Sequence, residues 1–181
     1  MKNYRVMAVD PGTINTGVVI GELGPDDTVQ MVAAKKVNKR KGDAWRRVTT
    51  ITAEIVDMIE EYDVRELWVE LYIPYGRRRG SLWNMMLVGA LLYLPVTRSK
   101  DNLISYGLYA REWKPWLKKM TPDCDADKRR AITFAKNQGI EFTDEMEEAL
   151  TDVHVADALG LILFPHFAGD TNEHPTCDPK V

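Results

Sequence analysis

Four side chains, far apart in the sequence, are placed where polar groups need a reason to be. Asp10 ends the apolar run Val6-Met7-Ala8-Val9 and is followed at once by Pro11-Gly12. A carboxylate at the end of a buried strand projects into the turn from a rigid support, where it can hold a cation; the plain alternative is an ordinary Asp-Pro-Gly turn. Glu70 interrupts Leu67-Trp68-Val69-Glu70-Leu71. Buried without a partner, it would cost several kcal/mol. It therefore sits at the open end of a strand, faces a cation, or belongs to a structural ion pair at an edge. His154 and Asp157 are spaced i, i+3 in Thr151-Asp152-Val153-His154-Val155-Ala156-Asp157-Ala158-Leu159-Gly160-Leu161 and share one helix face. They break an otherwise apolar helix, either as a hydrogen-bonded structural pair or as part of a site.

Together these residues give two carboxylates at strand ends and a polar pair on a late helix, a set able to converge on one spot. Converging carboxylates repel unless cations neutralise them. Hard oxygen ligands suit Mg²⁺ or Mn²⁺. Two such ions about 3.5–4 Å apart activate a water and stabilise the leaving oxygen of a phosphodiester. Phosphodiester hydrolysis is the chemistry this set points to.

The elements that must position these residues follow from periodicity. Tyr4 to Asp10 reads as a buried strand. Thr16 to Glu22 and about Thr28 to Val37 follow as two more, joined by short turns in an antiparallel meander. Asp43 is a suitable N-cap for a helix reaching about Tyr62, with Trp45, Val48, Ile51, Ile55, Met58 and Ile59 as its apolar face. Val64 to Leu71 is a fourth strand. A loop from Ile73 to Gly80 leads into an apolar helix, Ser81 to Leu94, and Asn102 to Tyr106 makes a short fifth strand. Helical pieces are expected over Ala110 to Met120, Asp125 to Gln138 and Thr143 to Phe164. This order specifies a mixed α/β layered fold. One domain is expected over residues 1–167, with an aperiodic, flexible tail over 168–181.

Bulk properties bound the reading. A chain of 181 residues with 45% hydrophobic and 28% charged residues can bury one core without staples. Cys124 and Cys177 lack the spacing of a zinc site and read as reduced thiols of a cytoplasmic protein. No leader is evident, and the longest apolar run, Met85 to Val96, falls well short of the ~20 residues that span a bilayer. The net charge of −3 argues mildly against nucleic acid. Distribution outweighs the sum, however. Lys35, Lys36, Lys39, Arg40, Lys41, Arg46 and Arg47 cluster, as do Arg77, Arg78 and Arg79, and then Arg111, Lys114, Lys118 and Lys119. Acidic residues gather at Glu60, Glu61 and Asp63 and across Asp144 to Glu148.

Asp10-Pro11-Gly12-Thr13 with Thr16-Gly17 resembles the opening motif of the RuvC-type Holliday junction resolvases. Glu70 resembles their second acidic residue, and His154-Val-Ala-Asp157-Ala-Leu their closing helix, whose first position is Asp in some members and His in others. The likeness spans about residues 4–166. It implies a ribonuclease H-like fold, a mixed five-stranded sheet flanked by helices. It also implies a homodimer, and an endonuclease that nicks four-way DNA junctions symmetrically in recombination and repair with Mg²⁺, or Mn²⁺, two ions per site. Asp10, Glu70, His154 and Asp157 become the catalytic, metal-binding set, although imidazole is a poor Mg²⁺ ligand and His154 could contact the scissile phosphate or aid proton transfer instead. Lys114 and Lys128 match the family's DNA-contacting lysines. The helix from Ser81 to Leu94 lies where the family dimerises, with Trp83, Met86, Leu87, Ala90 and Leu91 a suitable apolar face that a simple core helix explains equally well.

The Tyr72-Ile-Pro-Tyr75-Gly-Arg77-Arg78-Arg79-Gly80 segment departs from the bacterial pattern. Ile73 stands near the place of an aromatic that stacks in the opened junction, so Tyr72 or Tyr75 would substitute, and Arg77, Arg78 and Arg79 would grip phosphates. The departure suits a bacteriophage member, acting in the host cytoplasm. Three other readings share some of these residues. An actin-like ATPase or sugar kinase shares an Asp-x-Gly opening but needs two lobes, and no phosphate loop of the Gly-x-x-x-x-Gly-Lys type is present. A non-catalytic DNA binder has no use for repelling carboxylates. A ribonuclease H-like nuclease acting on forks, flaps or RNA-containing substrates fits the same residues.

Overall fold

The computed structural model describes residues 3–25, 28–72, 79–97, 102–124 and 129–168. Five strands form one sheet in the order β3-β2-β1-β4-β5. They are β1 (Tyr4–Asp10), β2 (Asn15–Leu23), β3 (Val29–Asn38), β4 (Val64–Leu71) and β5 (Ile104–Tyr109). β1–β2 and β2–β3 pair antiparallel, whereas β1–β4 and β4–β5 pair parallel. The described helices are α1 (Ala44–Glu61), α2 (Arg79–Leu92), α3 (Leu94–Thr97), α4 (Ala110–Met120), α5 (Arg130–Asn137), α6 (Asp144–Ala149) and α7 (Val153–Phe167). This is the expected mixed five-stranded sheet flanked by helices. No described helix is long and apolar enough to cross a membrane.

Strand alternation decides which way each side chain faces. Met7 and Val9 of β1, with Leu67 and Val69 of β4, enter the core beneath α1, α2 and α3. Val6 and Ala8 enter the opposite core, against α4, α5 and α7, and Trp68 packs onto it. Continuing the alternation, Asp10 and Glu70 both face α7. Because β1 and β4 run parallel in the register Val9↔Val69, the two carboxylates end neighbouring strands side by side. The position is a topological switch point: β1 continues antiparallel on one side and parallel on the other, the place where open α/β sheets hold ligands.

α7 lies across β2 and β1, and Val155, Ala156, Ala158 and Leu159 through Phe164 are buried. Such all-round apolarity marks a helix packed on both sides. Two glycines permit the approach. A Cβ on Gly17, the β2 partner of Asp10, would lie 2.0 Å from the His154 carbonyl oxygen. One on Gly160 would lie 2.3 Å from the ring of Trp113, itself buried in α4. The first seats α7 on the sheet beside Asp10, and the second seats α4 on α7.

Several elements differ from the sequence-based expectation for local reasons. The stretch expected as one helix over Thr143 to Phe164 is two, α6 and α7, because Asp152 caps the second by accepting from His154 N at 3.0 Å. The fifth strand runs later than expected, through Tyr109, drawn on by its pairing with Glu70 and Leu71. Trp45, expected on the buried face of α1, is exposed, while Val48, Ile51, Ile55, Met58 and Ile59 are buried as expected. On α2, Leu87 and Leu91 turn inward with Val88, so the outward apolar face is instead Leu82, Met85 and Met86, continued by Tyr93 and Val96. The tail residues 169–181, including Cys177, and the expected helix start at Asp125 lie outside the described residues.

Replacing Gly160 by alanine should destabilise the fold by about 1–3 kcal/mol, the cost of overpacking a closed contact. Urea unfolding of the purified variant measures it. A midpoint equal to wild type would mean that Trp113 does not bear on this helix.

Candidate active site

The carboxyl ends of β1 and β4 and the first turns of α7 enclose the four residues singled out by sequence. Asp10 Oδ2 lies 2.6 Å from His154 Nδ1, and Asp157 Oδ2 accepts from Lys114 Nζ at 2.7 Å. Glu70 is largely buried, and its Oε2 has no hydrogen-bond partner. Lys114, expected only as a DNA contact, thus reaches into the acidic set from α4.

Each titration follows from this crowding. Burial, and then the charges of Asp10 and Asp157, push the Glu70 carboxyl up to about 8, against the opposing pull of Lys114 and His154. Burial and Asp10 also raise the Asp157 pKa, opposed by its bond to Lys114. Burial works against the Lys114 ammonium but is outweighed by Asp157, Glu70 and Asp10, so its pKa rises. The hydrogen bond to Asp10 holds the His154 imidazolium against the cost of its partial burial. Lys114 and His154 thus supply basic partners to Asp157 and Asp10, and Glu70, pushed up to about 8, keeps its proton near neutrality.

The loop that carries Asp10 is fixed from several sides. Buried Thr16 donates from Oγ1 to the Gly12 carbonyl at 2.8 Å and accepts from Gly12 N at 3.3 Å. Asn84 of α2 accepts from Thr13 N at 3.2 Å, and Arg47 of α1 donates from Nε to the Thr13 carbonyl at 3.0 Å. Asn84 and Arg47 carry no sequence signal that would have joined them to Asp10. Thr16 does lie within the motif, but its buried hydroxyl is legible only from the turn geometry. Asp152, beside the motif, is held by Lys36 at 2.6 Å and serves as the helix cap. Its carboxyl stays below the usual range because the bonds from Lys36 and His154 N outweigh its partial burial. It is spent on structure.

Among the described residues, no group of three or more His, Cys, Asp or Glu side chains is arranged to hold a metal ion. The donor set nevertheless fits a hard divalent cation: three carboxylates face one another, two raised in pKa, and one carries an orphaned buried oxygen. Beside Asp157 a cavity of about 570 Å³ opens between α4, α5 and α7, with Arg111, Lys114, Lys118 and Arg130 among its lining. Arg111 stacks on Tyr109 at 4.8 Å, and Arg130 donates to the Thr121 carbonyl at 2.6 Å. Tyr75, Arg77, Arg78 and Lys128 lie outside the described residues; Arg79 begins α2, but its side chain is not described.

No protein-family model and no curated protein sequence matches the chain. Solved structures do. Thermus thermophilus RuvC in complex with a Holliday junction substrate aligns at a TM-score of 0.66 and 17% identity, over 93% of this chain and 96% of that one. The yeast mitochondrial Holliday junction resolvase Ydc2 aligns at 0.66 and 13%, over 90% and 76%. The fowlpox virus resolvase, in a complex with Holliday junction DNA, aligns at 0.50 and 14%, over 89% and 97%. At such identities the likeness establishes the fold: this chain has the ribonuclease H-like fold of RuvC-type resolvases.

The Glu70 shift has a sign that can be checked. Its folded pKa, about 8, exceeds its ordinary value of 4.5. Its contribution to stability is therefore complete below pH 4.5 and is lost as pH rises through 8. Without divalent ions, the unfolding midpoint of wild type should fall relative to Glu70→Gln between these limits. Parallel pH profiles for the two proteins would show that Glu70 ionises normally.

Proposed function

We propose that the chain is a divalent-metal-dependent crossover junction endodeoxyribonuclease that resolves four-way DNA junctions by paired phosphodiester hydrolysis. The observation that carries the proposal is the convergence of Asp10, Glu70 and Asp157 under the start of α7, with Glu70 buried and unpaired. Supporting it, the chain covers nearly the full length of Thermus RuvC, a protein solved on a Holliday junction.

In this reading Asp10, Glu70 and Asp157 hold Mg²⁺ or Mn²⁺, with His154 a fourth candidate. When bound, the two ions supply an activated water and neutralise charge on the leaving oxygen. Lys114, now on Asp157, is placed to bind a non-bridging phosphate oxygen from the α4 side. His154 is oriented through Nδ1 by Asp10, which leaves Nε2 to hold or pass a proton at the scissile phosphate. Thr16, Asn84 and Arg47 keep the Asp10 turn rigid, and rigidity is what positioning chemistry needs. Tyr75, Arg77, Arg78, Arg79 and Lys128 complete the proposed DNA contacts, by sequence alone.

Symmetric nicking needs two active sites, hence a homodimer. The outward stripe of α2, with Leu82, Met85 and Met86 exposed and Tyr93 and Val96 beyond, is the apolar surface proposed to join the protomers.

Asp10→Asn and Glu70→Gln should each lower junction cleavage in Mg²⁺ by at least about a thousandfold, of the order expected when a charge-stabilising group is removed. Junction binding should persist in both. Labelled four-way junctions, forks, flaps and RNA–DNA hybrids tested in parallel identify the substrate; cleavage of forks or hybrids in preference to junctions would overturn the junction assignment. Replacing Arg77, Arg78 and Arg79 by alanine should flatten the salt dependence of junction affinity. Sedimentation should give a dimer that Met85→Glu with Tyr93→Glu converts to monomer. A wild-type monomer that still makes paired nicks would contradict the two-site scheme.

A further inference from the structure

The catalytic rim continues onto a surface that the reaction itself does not use. β3 runs parallel to β1 through the intervening β2, so the β3–α1 loop emerges at the same sheet end as Asp10. Two strand spacings put it about 10 Å to the side of β1. The loop is tied to the turn after Asp10. Lys39 N donates to the Ile14 carbonyl at 2.9 Å, and Arg47 spans the Thr13 and Gly42 carbonyls at 3.0 and 2.7 Å. There Lys39, Arg40, Lys41, Gly42, Arg46 and Arg47 line an open cradle of about 600 Å³.

The charges divide into used and unused. Lys35 and Lys39 bind Glu54, and Lys36 binds Asp152. Arg40, Lys41 and Arg46 are exposed and have no acidic partner among the described residues; the nearby Asp43 carboxylate is engaged as the α1 cap, accepting from Arg46 N at 2.8 Å. Trp45, the residue before Arg46 in the first turn of α1, is 56% exposed, although a tryptophan on α1 has a buried face available to it. Ile14, 46% exposed, bridges the patch and the Asp10 turn. Exposed cations on the β3–α1 loop, with an uncovered aromatic ring on the first helical turn that follows, combine phosphate attraction with a stacking platform.

We propose that Arg40, Lys41, Arg46 and Trp45 form a nucleic-acid docking surface that holds the backbone of the cleaved strand beside the active site, with Trp45 stacked on an unpaired base. The proposal rests on the nuclease reading above and deepens it. The cations clamp phosphates within a few nucleotides of the scissile bond. Trp45 selects DNA whose bases are already open there, as at a branch point, over continuous duplex.

The full-length protein carrying Asp10→Asn, which leaves its substrate intact, is titrated with a fluorescent four-way junction and with linear duplex over a series of salt concentrations. Adding Arg40→Ala, Lys41→Ala and Arg46→Ala should weaken junction binding and lower the slope of log affinity against log salt by about 2.7, three contacts at ~0.9 each. Arg40→Lys with Arg46→Lys should keep the slope, which separates lost charge from lost fold. Trp45→Ala should cost about tenfold in junction affinity with an unchanged slope, and little on duplex; Trp45→Phe should restore most of it. An unchanged slope in the alanine triple variant removes the surface from the DNA interface, as does an equal loss on duplex and junction for Trp45→Ala. In those cases the nuclease assignment survives if wild type still cuts junctions. A parent protein that binds no branched DNA overturns both.

Discussion

Three carboxylates forced together at one end of a sheet must be neutralised, and the rest of the site follows from how that is done. Asp10 takes the His154 ring and Asp157 takes the Lys114 ammonium, leaving Glu70 without a counter-charge or a hydrogen bond at Oε2. A buried carboxyl in that position can only stay protonated or find a cation. A fold assembled for stability alone has cheaper residues for this spot: strand neighbours Val69 and Leu67 show what the sheet otherwise places in its interior. The site is thus held in a state of unmet electrostatic demand, and in the proposed reading hard divalent cations are the ligands that satisfy it.

Holding the carboxylates in that state falls to elements with no charge at all. Gly17 lets the His154 backbone lie on β2 beside Asp10, and Gly160 lets Trp113 close on the far side of α7. Lys114 follows Trp113 directly on α4, so the packing that seats the indole also sets where the ammonium reaches. The acidic turn is locked in the same manner by Thr16, Asn84 and Arg47, each spending its polar groups on the backbone of Gly12 or Thr13. Dense, specific packing replaces flexibility at the point where charge would drive the groups apart.

What the sequence could reveal divides along the line between local pattern and long-range contact. The five strands, and Asp10 and Glu70 as strand-end carboxylates, were legible because short apolar runs bounded by turn residues mark strands; that β1 and β4 are neighbours appears only in their pairing. The pairing of His154 with Asp157 was legible from helical spacing. Trp45 was misplaced because a tryptophan in helical register reads as core whether or not anything covers it, and α1 buries its face only from Val48 onward. The helix expected over Thr143 to Phe164 hid a break at Asp152, since capping residues look like ordinary polar ones until the bond to the His154 amide is seen. Lys114 was assigned to DNA by analogy, yet its contact with Asp157 depends on how α4 packs on α7. Whether the apolar residues of α2 face the core or the outside was left open for a related reason: when a helix is apolar nearly all round, periodicity cannot say which side meets the sheet.

The net charge of −3 appeared to weigh against nucleic acid, and its resolution is spatial. Glu60, Glu61 and Asp63 lie where α1 returns to the start of β4, the sheet end opposite Asp10, as the pairing of Val64 with Arg5 at the start of β1 requires. Exposed cations gather at the other end: Arg40, Lys41 and Arg46 beyond β3 on one flank, and Arg111 and Lys118 around the α4 cavity on the other. A polyanion approaching such a surface is drawn to the flanks and oriented by repulsion from the far end, whatever the total. It meets the acidic centre last, where only cations make room for a phosphate. In the proposed nuclease, the same distribution that lowers the net charge makes binding and chemistry separable events, the first set by the basic rims and the second by what occupies the gap between them.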